Sequence, residues 1–417
     1  MNDTPKSSRL HISLFGRRNS GKSSLINALT NQDIALVSDV PGTTTDPVYK
    51  AMEILPVGPV MLIDTAGIDD EGELGELRVK KSLQVLEKTD VALLIADSLS
   101  GFSEFDKKVY NLCKSRNITV IIVFNKTDLL DLTTKEDQQR KLTESAKNIL
   151  GETDATLPPV LFVSSLSKEG ILKLKQYLSK VKPDDWIAPA IVGDLLQPGD
   201  MVVLVTPIDL SAPKGRLILP QVQTIRDILD HDCMCCVCKE YELKRTLDSL
   251  KNPPAMVITD SQAFLKVAAD TPPDVPLTSF SILMARYKGD IMALARGAKA
   301  IESLVPGDKI LIAEACTHHQ QADDIGKVKI PRWLRQIVGG ELNIDYSSGS
   351  NYPENLTDYK LIVHCAGCML NRKEMIHRIK EAKSKNIPIV NYGVLISSVH
   401  GLISRAIKPL GIDYDSL

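Results

Sequence analysis

The chain has 417 residues, too many for one hydrophobic core; at about 100–200 residues per domain this length indicates two to four domains, and we expect three. Hydrophobic residues make up 43% of the chain and charged residues 24%, which is an ordinary globular composition. The net charge of −2 gives no long-range attraction to nucleic acid or to an acidic membrane, and no apolar run approaches the ~20 residues of a membrane span. We therefore expect a cytoplasmic protein with no nucleic-acid partner and no membrane partner.

Apolar runs of strand length alternate with segments of helical period from end to end, which predicts α/β domains with mostly parallel sheets. Proline-containing segments break this pattern near 183–189 and at 271–276. We therefore predict three consecutive α/β domains, the second and third smaller than the first, over residues 1–183, 190–270 and 276–417. The strands expected in the two later domains are 201–205, 233–238, 257–259, 309–313, 360–363 and 387–390.

Residues 16–23 read GRRNSGKS and match the pattern G-x-x-x-x-G-K-S between a strand-like run and a helical segment, which is the context that a P-loop requires. In such a loop the backbone N–H groups wrap the phosphates, Lys22 reaches the β and γ oxygens, and Ser23 ligates magnesium. The residues that we expect to bind the phosphates are Gly16, Asn19, Ser20, Gly21, Lys22, Ser23 and Ser24.

Three further motifs follow the P-loop in chain order. Asp64, at the end of a strand, is expected to hold magnesium through a water, and the Gly67 N–H to lie near the γ-phosphate. The Asp128 carboxylate can accept hydrogen bonds from N1–H and the 2-amino group of guanine, and adenine has neither donor there. Together the motifs predict a P-loop GTPase that binds GTP or GDP with Mg²⁺. Its predicted base-binding residues are Asn125, Lys126, Asp128, Ser164, Ser165 and Leu166.

With these motifs the first domain resembles the small GTPases of the tRNA-modification and ribosome-assembly branch, which share the sequence GTTTD of residues 42–46 in switch I. The resemblance implies a second magnesium ligand here, for which Thr44 is the first candidate and its neighbours Thr43 and Thr45 are the alternatives. It also implies that Asn19 helps to bind a potassium ion, whose charge assists hydrolysis.

Hydrolysis is expected to be slow, because Ile68 occupies the position where other GTPases place the water-orienting glutamine. Glu76 is a candidate for orienting water, beside the alternative that Glu71, Glu73 and Glu76 form a solvated loop face. The catalytic residues that we predict are Lys22, Thr44, Gly67 and Glu76.

A second group of chemically active residues lies in the last third of the chain, at Cys316-Thr317-His318 and His364-Cys365-Ala366-Gly367-Cys368. Both segments follow predicted parallel strands, whose carboxyl ends form the usual ligand site of an open sheet. We expect Cys316, Cys365 and Cys368 to be thiolate ligands of one metal centre. The fourth position is open to His318, His364, Asp323 or a foreign ligand, and the alternative role for these three residues is to tune the centre without binding it.

The residues alone leave three interpretations of these cysteines open. Three thiolates with one exchangeable position fit an iron–sulfur cluster. The same thiolates with one histidine fit a structural zinc site, and free cysteines also pack as small apolar residues in ordinary cores.

The cysteine-rich segment 233–238 is predicted to be a buried strand. Side chains alternate along a strand, so Cys233 and Cys235 would point to one face and Cys236 and Cys238 to the other. Four thiols divided in this way cannot bind one ion, and we expect them to pack in the core.

A GTPase domain, an α/β middle domain, and C-x-H followed by H-C-x-x-C together resemble the FeFe-hydrogenase maturation GTPases over nearly the whole chain. The resemblance implies a 4Fe-4S cluster on Cys316, Cys365 and Cys368 that holds a di-iron precursor as cargo. Two radical-SAM maturases would build this precursor, apo FeFe-hydrogenase would receive it, and the middle domain would form a homodimer. The alternative is a zinc-containing GTPase of the tRNA-modification or ribosome-assembly type.

Overall fold

A computed structural model describes residues 4–31, 47–65, 84–181, 190–207, 217–315, 324–349, 352–353 and 355–417. The chain forms two compact units, Met1–Ile187 and Ala188–Leu417. The first unit contains one sheet and the second contains two, so the predicted α/β class with mostly parallel sheets is confirmed. Among the described residues, no helix is long and apolar enough to cross a membrane.

The first unit is built on a six-stranded sheet in the order β2-β3-β1-β4-β5-β6, in which β2 alone runs antiparallel to its neighbour. Its strands are β1 Leu10–Phe15, β2 Val48–Ile54, β3 Gly58–Asp64, β4 Val91–Asp97, β5 Thr119–Asn125 and β6 Val160–Phe162. Helices described in this unit are α1 Lys22–Thr30, α2 Glu104–Ser115, α3 Lys135–Leu150 and α4 Ile171–Lys180.

Strands β1, β4 and β5 are almost entirely buried, because the sheet carries an apolar cluster on each face. Alternate residues of β1 supply the two clusters: Leu14 packs in one and Phe15 in the other. The carboxyl ends of the parallel strands β1, β3 and β5 therefore lie along one edge of the sheet, and each leads into a predicted nucleotide motif.

The second unit contains two parallel four-stranded sheets, with the orders β10-β9-β7-β8 and β12-β11-β13-β14. Strands of the first are β7 Met201–Val205, β8 Met234–Cys238, β9 Met256–Thr259 and β10 Leu277–Ser279; those of the second are β11 Lys309–Glu314, β12 Asn343–Ser348, β13 Leu361–His364 and β14 Ile389–Asn391. The helices described are α5 Leu219–Asp230, α6 Leu243–Ser249, α7 Phe264–Asp270, α8 Phe280–Lys288, α9 Ile291–Lys299, α10 Ile330–Val338, α11 Arg372–Ser384, α12 Tyr392–Val399 and α13 Ile403–Ile407.

The two sheets of this unit share one apolar cluster, in which Val205 of β7 and Ile310 of β11 both take part. The predicted break at 271–276 lies inside the first of these sheets, because β10 follows it and pairs with β9. Its prolines end α7 and turn the chain into β10, and the limit between the two later domains stays a prediction.

Strand β8 corrects the prediction for the cysteine-rich segment. It is an edge strand in which Cys235, Cys236 and Cys238 are only half-buried, whereas Cys233 just before it is buried. The predicted alternation is confirmed, since Cys233 and Cys235 pack in one apolar cluster and Cys238 against another. The segment is half-exposed because a strand with one neighbour is covered on one side only.

Candidate functional site

The P-loop connects β1 to α1, and its backbone carbonyls bind the side chain of Lys22. Lys22 Nζ donates hydrogen bonds to Gly16 O at 2.8 Å and to Arg17 O at 2.9 Å. Asn19 has a φ of 60° and Gly21 a φ of +86°, and this left-handed backbone curls the loop. All the predicted phosphate-binding residues lie between the end of β1 and the first turn of α1, namely Gly16, Asn19, Ser20, Gly21, Lys22, Ser23 and Ser24.

The two described magnesium candidates lie in contact. Ser23 Oγ, at the start of α1, donates a hydrogen bond to Asp64 Oδ2 at 2.8 Å. Burial raises the pKa of Asp64, while the bond from Ser23 and the charge of Lys22 oppose that rise. A hydroxyl and a carboxylate at this separation suit a hard, oxygen-preferring ion such as Mg²⁺. The other predicted residues of this site, Thr44, Gly67 and Glu76, lie outside the described residues.

Asn125, at the end of β5, connects the P-loop to the predicted guanine loop. Its Nδ2 donates to Ser20 O at 3.2 Å and Gly21 O at 3.3 Å, and its Oδ1 accepts from Ser165 N at 3.1 Å. Asn125 is buried, so these bonds form away from water. The amide therefore fixes the distance between the phosphate end and the base end of the site.

The remaining base-binding candidates are arranged around the same loop. Ser164 Oγ donates to the Asp128 carboxylate, and Lys126 Nζ donates to Asp97 Oδ2 at 2.8 Å. Leu166 is exposed. Asp97, which ends β4, was not among the predicted residues, and its position at a strand end beside the motif lysine is the signal that could have identified it.

The loop between β13 and α11, residues 365–371, is called the cysteine loop. It lies against the end of β11, as expected for the carboxyl ends of neighbouring parallel strands. Cys365 Sγ accepts a hydrogen bond from Ala315 N at 3.1 Å and from Gly367 N at 3.4 Å. Gly367 has a φ of +64°, a conformation that favours glycine and turns the chain between the two cysteines. Asn371 then caps α11 by accepting from Glu374 N.

Cys316, the third predicted thiolate, lies outside the described residues, as do His318 and Asp323. Described residues include no group of three or more His, Cys, Asp or Glu side chains that could hold a metal ion. One described range ends at Ala315, whose amide donates to the Cys365 sulfur, and Cys316 is the next residue in sequence. Whether the three thiolates come together is therefore still a prediction.

The two amide contacts make Cys365 a suitable ligand. Burial raises the pKa of its thiol to about 11, and the hydrogen bonds from Ala315 and Gly367 oppose that rise. N–H donors aimed at a sulfur stabilise its charged form, and hydrogen bonds of this kind tune iron–sulfur clusters. The donor set of Cys365 and Cys368, with two amides directed at the Cys365 sulfur, fits a cluster.

His364 has both ring nitrogens engaged. Its Nε2 lies 3.1 Å from Arg378 Nη1, and its Nδ1 lies 2.8 Å from Cys365 O. A guanidinium only donates, so Nε2 accepts and Nδ1 carries the proton. Burial, reinforced by the Arg378 charge, lowers the pKa of His364 to about 3. His364 therefore orients the Cys365 carbonyl and, in this arrangement, offers no lone pair to a metal.

Two buried charged residues next to the cysteine loop, Arg378 and Lys288, were not among the predicted site residues. Arg378 donates to Glu374 Oε1 at 2.9 Å, and each side chain is 4% exposed. Lys288, only 2% exposed, donates to the carbonyl oxygens of the cysteine loop. Burial lowers the pKa of Lys288 to about 8, and the neighbouring Cys368 and Cys365 oppose that shift. Neither residue belongs to a motif, and charged residues in helices ordinarily lie on the surface.

These features define a P-loop GTPase domain followed by two parallel α/β sheets that carry a cysteine loop. Residues 11–126 match the model of the 50S ribosome-binding GTPase. Residues 191–289 match the hydrogen maturase F dimerization domain, and residues 292–409 match the hydrogen maturase F tetramerization domain. The chain belongs to the hydrogen maturase F family, which confirms the resemblance seen in the sequence.

Similar proteins of other families match the GTPase part. GTPase Der of Kosmotoga olearia is 33% identical over 194 residues, 45% of this chain and 42% of that protein. The tRNA modification GTPase MnmE of Desulforamulus reducens is 32% identical over 185 residues, 40% of each chain. The chain thus spans less than half the length of these relatives. A solved structure of Era from Aquifex aeolicus, at 19% identity, covers 63% of this chain and 99% of its own, with a TM-score of only 0.35.

Proposed function

We propose that the protein is a GTP-binding and GTP-hydrolysing scaffold that carries a 4Fe-4S cluster and assembles or delivers the di-iron subcluster to apo FeFe-hydrogenase. The observation that carries this proposal is the Cys365 sulfur, which accepts two backbone N–H groups where the loops after β11 and β13 meet. Membership in the hydrogen maturase F family supports the maturation role.

Cys365 and Cys368, together with Cys316, would hold the cluster. When bound, a cluster with three protein thiolates supplies an iron whose remaining position can exchange its ligand. The chain's own contribution is to orient the thiolates: Ala315 and Gly367 donate to Cys365, and His364 holds its carbonyl. Two radical-SAM maturases would build the di-iron cargo, and the dimerization and tetramerization domains support a homo-oligomer as the working form.

The GTPase domain would act as a switch. Ser23 and Asp64 would hold Mg²⁺ with GTP or GDP, Lys22 would leave the loop carbonyls for the phosphates, and Asn19 would contribute to a potassium site. A slow switch suits control of partner docking better than direct chemistry at the cluster, so we propose that the nucleotide state governs which partner is bound.

The cluster is tested by anaerobic reconstitution of the full chain with iron and sulfide, followed by metal analysis and electron paramagnetic resonance. A reduced 4Fe-4S signal should appear in the wild type and vanish in the triple variant Cys316→Ala, Cys365→Ala, Cys368→Ala. Cys236→Ala, a half-buried thiol in β8, is the matched control and should keep the signal. Stoichiometric zinc without iron would reject the cluster and favour the zinc-containing GTPase.

A further inference from the structure

Lys288, the last residue of α8, ends in the middle of the cysteine loop. Its Nζ donates to Gly367 O at 3.0 Å, Cys368 O at 2.9 Å and Leu370 O at 2.9 Å. A neutral amine has two hydrogens, so three donated bonds require the ammonium form. A buried positive charge therefore lies directly beneath the two described cysteine ligands.

The ammonium group fixes the direction of the peptide units in the loop. In a planar trans peptide the N–H points opposite to the C=O, so two carbonyls directed at Lys288 turn the N–H groups of Cys368 and Met369 away from it. The loop backbone is thus set by the lysine as well as by the Gly367 turn.

Helix α8 is itself firmly held. Arg286 Nη1 donates to Ala190 O at 2.8 Å and to Asp194 Oδ1 at 3.0 Å, and Arg372 Nη1 donates to Tyr287 O. Lys288 lies within the dimerization-domain match at 191–289, whereas the cysteine loop lies within the tetramerization-domain match at 292–409. The segment that matches the dimerization domain thus supplies a positive charge to the cysteine loop, which belongs to the segment that matches the tetramerization domain.

We propose that Lys288 is a positioning residue for the cluster, which holds the C-x-x-C loop in its ligating shape and raises the reduction potential of the bound cluster. The inference rests on the proposed function and concerns this chain's own lysine. A cluster gains negative charge when it is reduced, and a nearby positive charge in a low-dielectric site stabilises that state.

The test is Lys288→Met in the full chain, reconstituted anaerobically as above. Methionine keeps the length and apolar character of the side chain but removes the charge and all three donors. Iron should be lost to a chelator about 10-fold to 100-fold faster, the range typical of outer-shell contacts to metal ligands. The midpoint potential, from redox titration of the electron paramagnetic resonance signal, should become more negative.

Lys299→Met is the matched control, because Lys299 on α9 donates to the main-chain oxygen of Leu417, which lies outside the cysteine loop. It should leave both the iron-loss rate and the midpoint potential unchanged. Two further variants separate the effect of charge from the effect of hydrogen bonding: Lys288→Gln removes the charge, and Lys288→Arg keeps it. They replace Lys288→Met if near-ultraviolet circular dichroism shows that the methionine variant is unfolded. Glutamine should lower the potential, and arginine should keep it near the wild-type value.

Equal potentials in the Gln and Arg variants, or wild-type iron retention in a folded Lys288→Met protein, would overturn the role of Lys288 while the cluster itself stands. A wild-type protein that takes up no iron–sulfur cluster would instead remove the proposed function on which this inference rests.

Discussion

Gly21 shows how closely the residues of the nucleotide site fit. A Cβ atom at this position would lie 2.2 Å from Asn125 Nδ2, the group that ties β5 to the P-loop. The backbone φ of +86° is also one that side chains rarely adopt. Both the conformation and the space therefore require glycine, and the second reason depends on a residue a hundred positions away in the chain.

We expect Gly21→Ala to weaken binding of a fluorescent GDP analogue at least about tenfold, because the new methyl displaces Asn125 and adds about 1–3 kcal/mol of backbone strain. Gly151→Ala is the control: its φ is +69°, but nothing lies within 4 Å of its Cβ position. It should lower the melting temperature and leave GDP affinity within about twofold. Equal GDP affinity in the two variants would show that the contact with Asn125 does not matter.

His364 illustrates what residue spacing cannot predict. The sequence places it beside Cys365, and adjacency alone makes it a plausible ligand. The structure instead pairs it with Arg378, which lies on the buried face of α11 together with Glu374. The spacing of four between Glu374 and Arg378 is an ordinary helix pair, but nothing local predicts that the pair is buried against His364, because that burial is decided by the packing of α11 on the sheet.

At the level of elements, strands with a continuous apolar run could be predicted, and the polar edge strand β12 could not. The runs that form β7, β9 and β11 are continuous and apolar, as central parallel strands require. Strand β12 reads NIDYSS and lies at the edge of its sheet with half of its residues exposed, so it carries no such signal. Strand β8 was found, but its edge position, and hence its exposure, depends on the order of strands.

The cap of α11 links an ordinary helix start to the proposed metal site. We expect Asn371→Ala to destabilise the second unit by about 1 kcal/mol, since the Asn371 side chain accepts from Glu374 N. Asp260→Ala removes a cap in the same unit, at the turn before α7, where the side chain accepts from Gln262 N at 3.0 Å. Thermal melts should shift in both variants. Only Asn371→Ala should hasten the loss of iron to a chelator, because Asn371 adjoins the cysteine loop whereas Asp260 follows β9 in the other sheet.

Equal iron loss in the two cap variants would mean that global stability, and not the loop, controls iron retention. If the rate of iron loss is unchanged in both variants, the cap at the start of α11 has no influence on iron retention. In either case the thermal melts report whether the caps themselves contribute as expected.

On the scale of the whole molecule, the order of strands explains why two distant sequence segments could be paired in advance. Neighbouring parallel strands bring their carboxyl ends together, so the end of β11 and the start of the loop after β13 had to lie close together. The contribution of Lys288 could not be foreseen in the same way, because it depends on how α8 packs between two sheets.

The shared core of the second unit makes the predicted limit at 276 testable. A fragment of residues 276–417 lacks Val203, Val205, Val257 and Phe264, which are buried in the cluster that joins the two sheets. Each buried side chain of this kind contributes about 1.5–3 kcal/mol, so losing four of them approaches the whole stability of a domain, about 5–15 kcal/mol.

We expect residues 276–417 to lack near-ultraviolet circular dichroism and cooperative melting, whereas residues 188–417 show both. Residues 1–187, which have their own apolar clusters, are the control and should fold alone. Cooperative unfolding of residues 276–417 at the same temperature as residues 188–417 would establish the third domain as independent and make the shared cluster incidental to its fold.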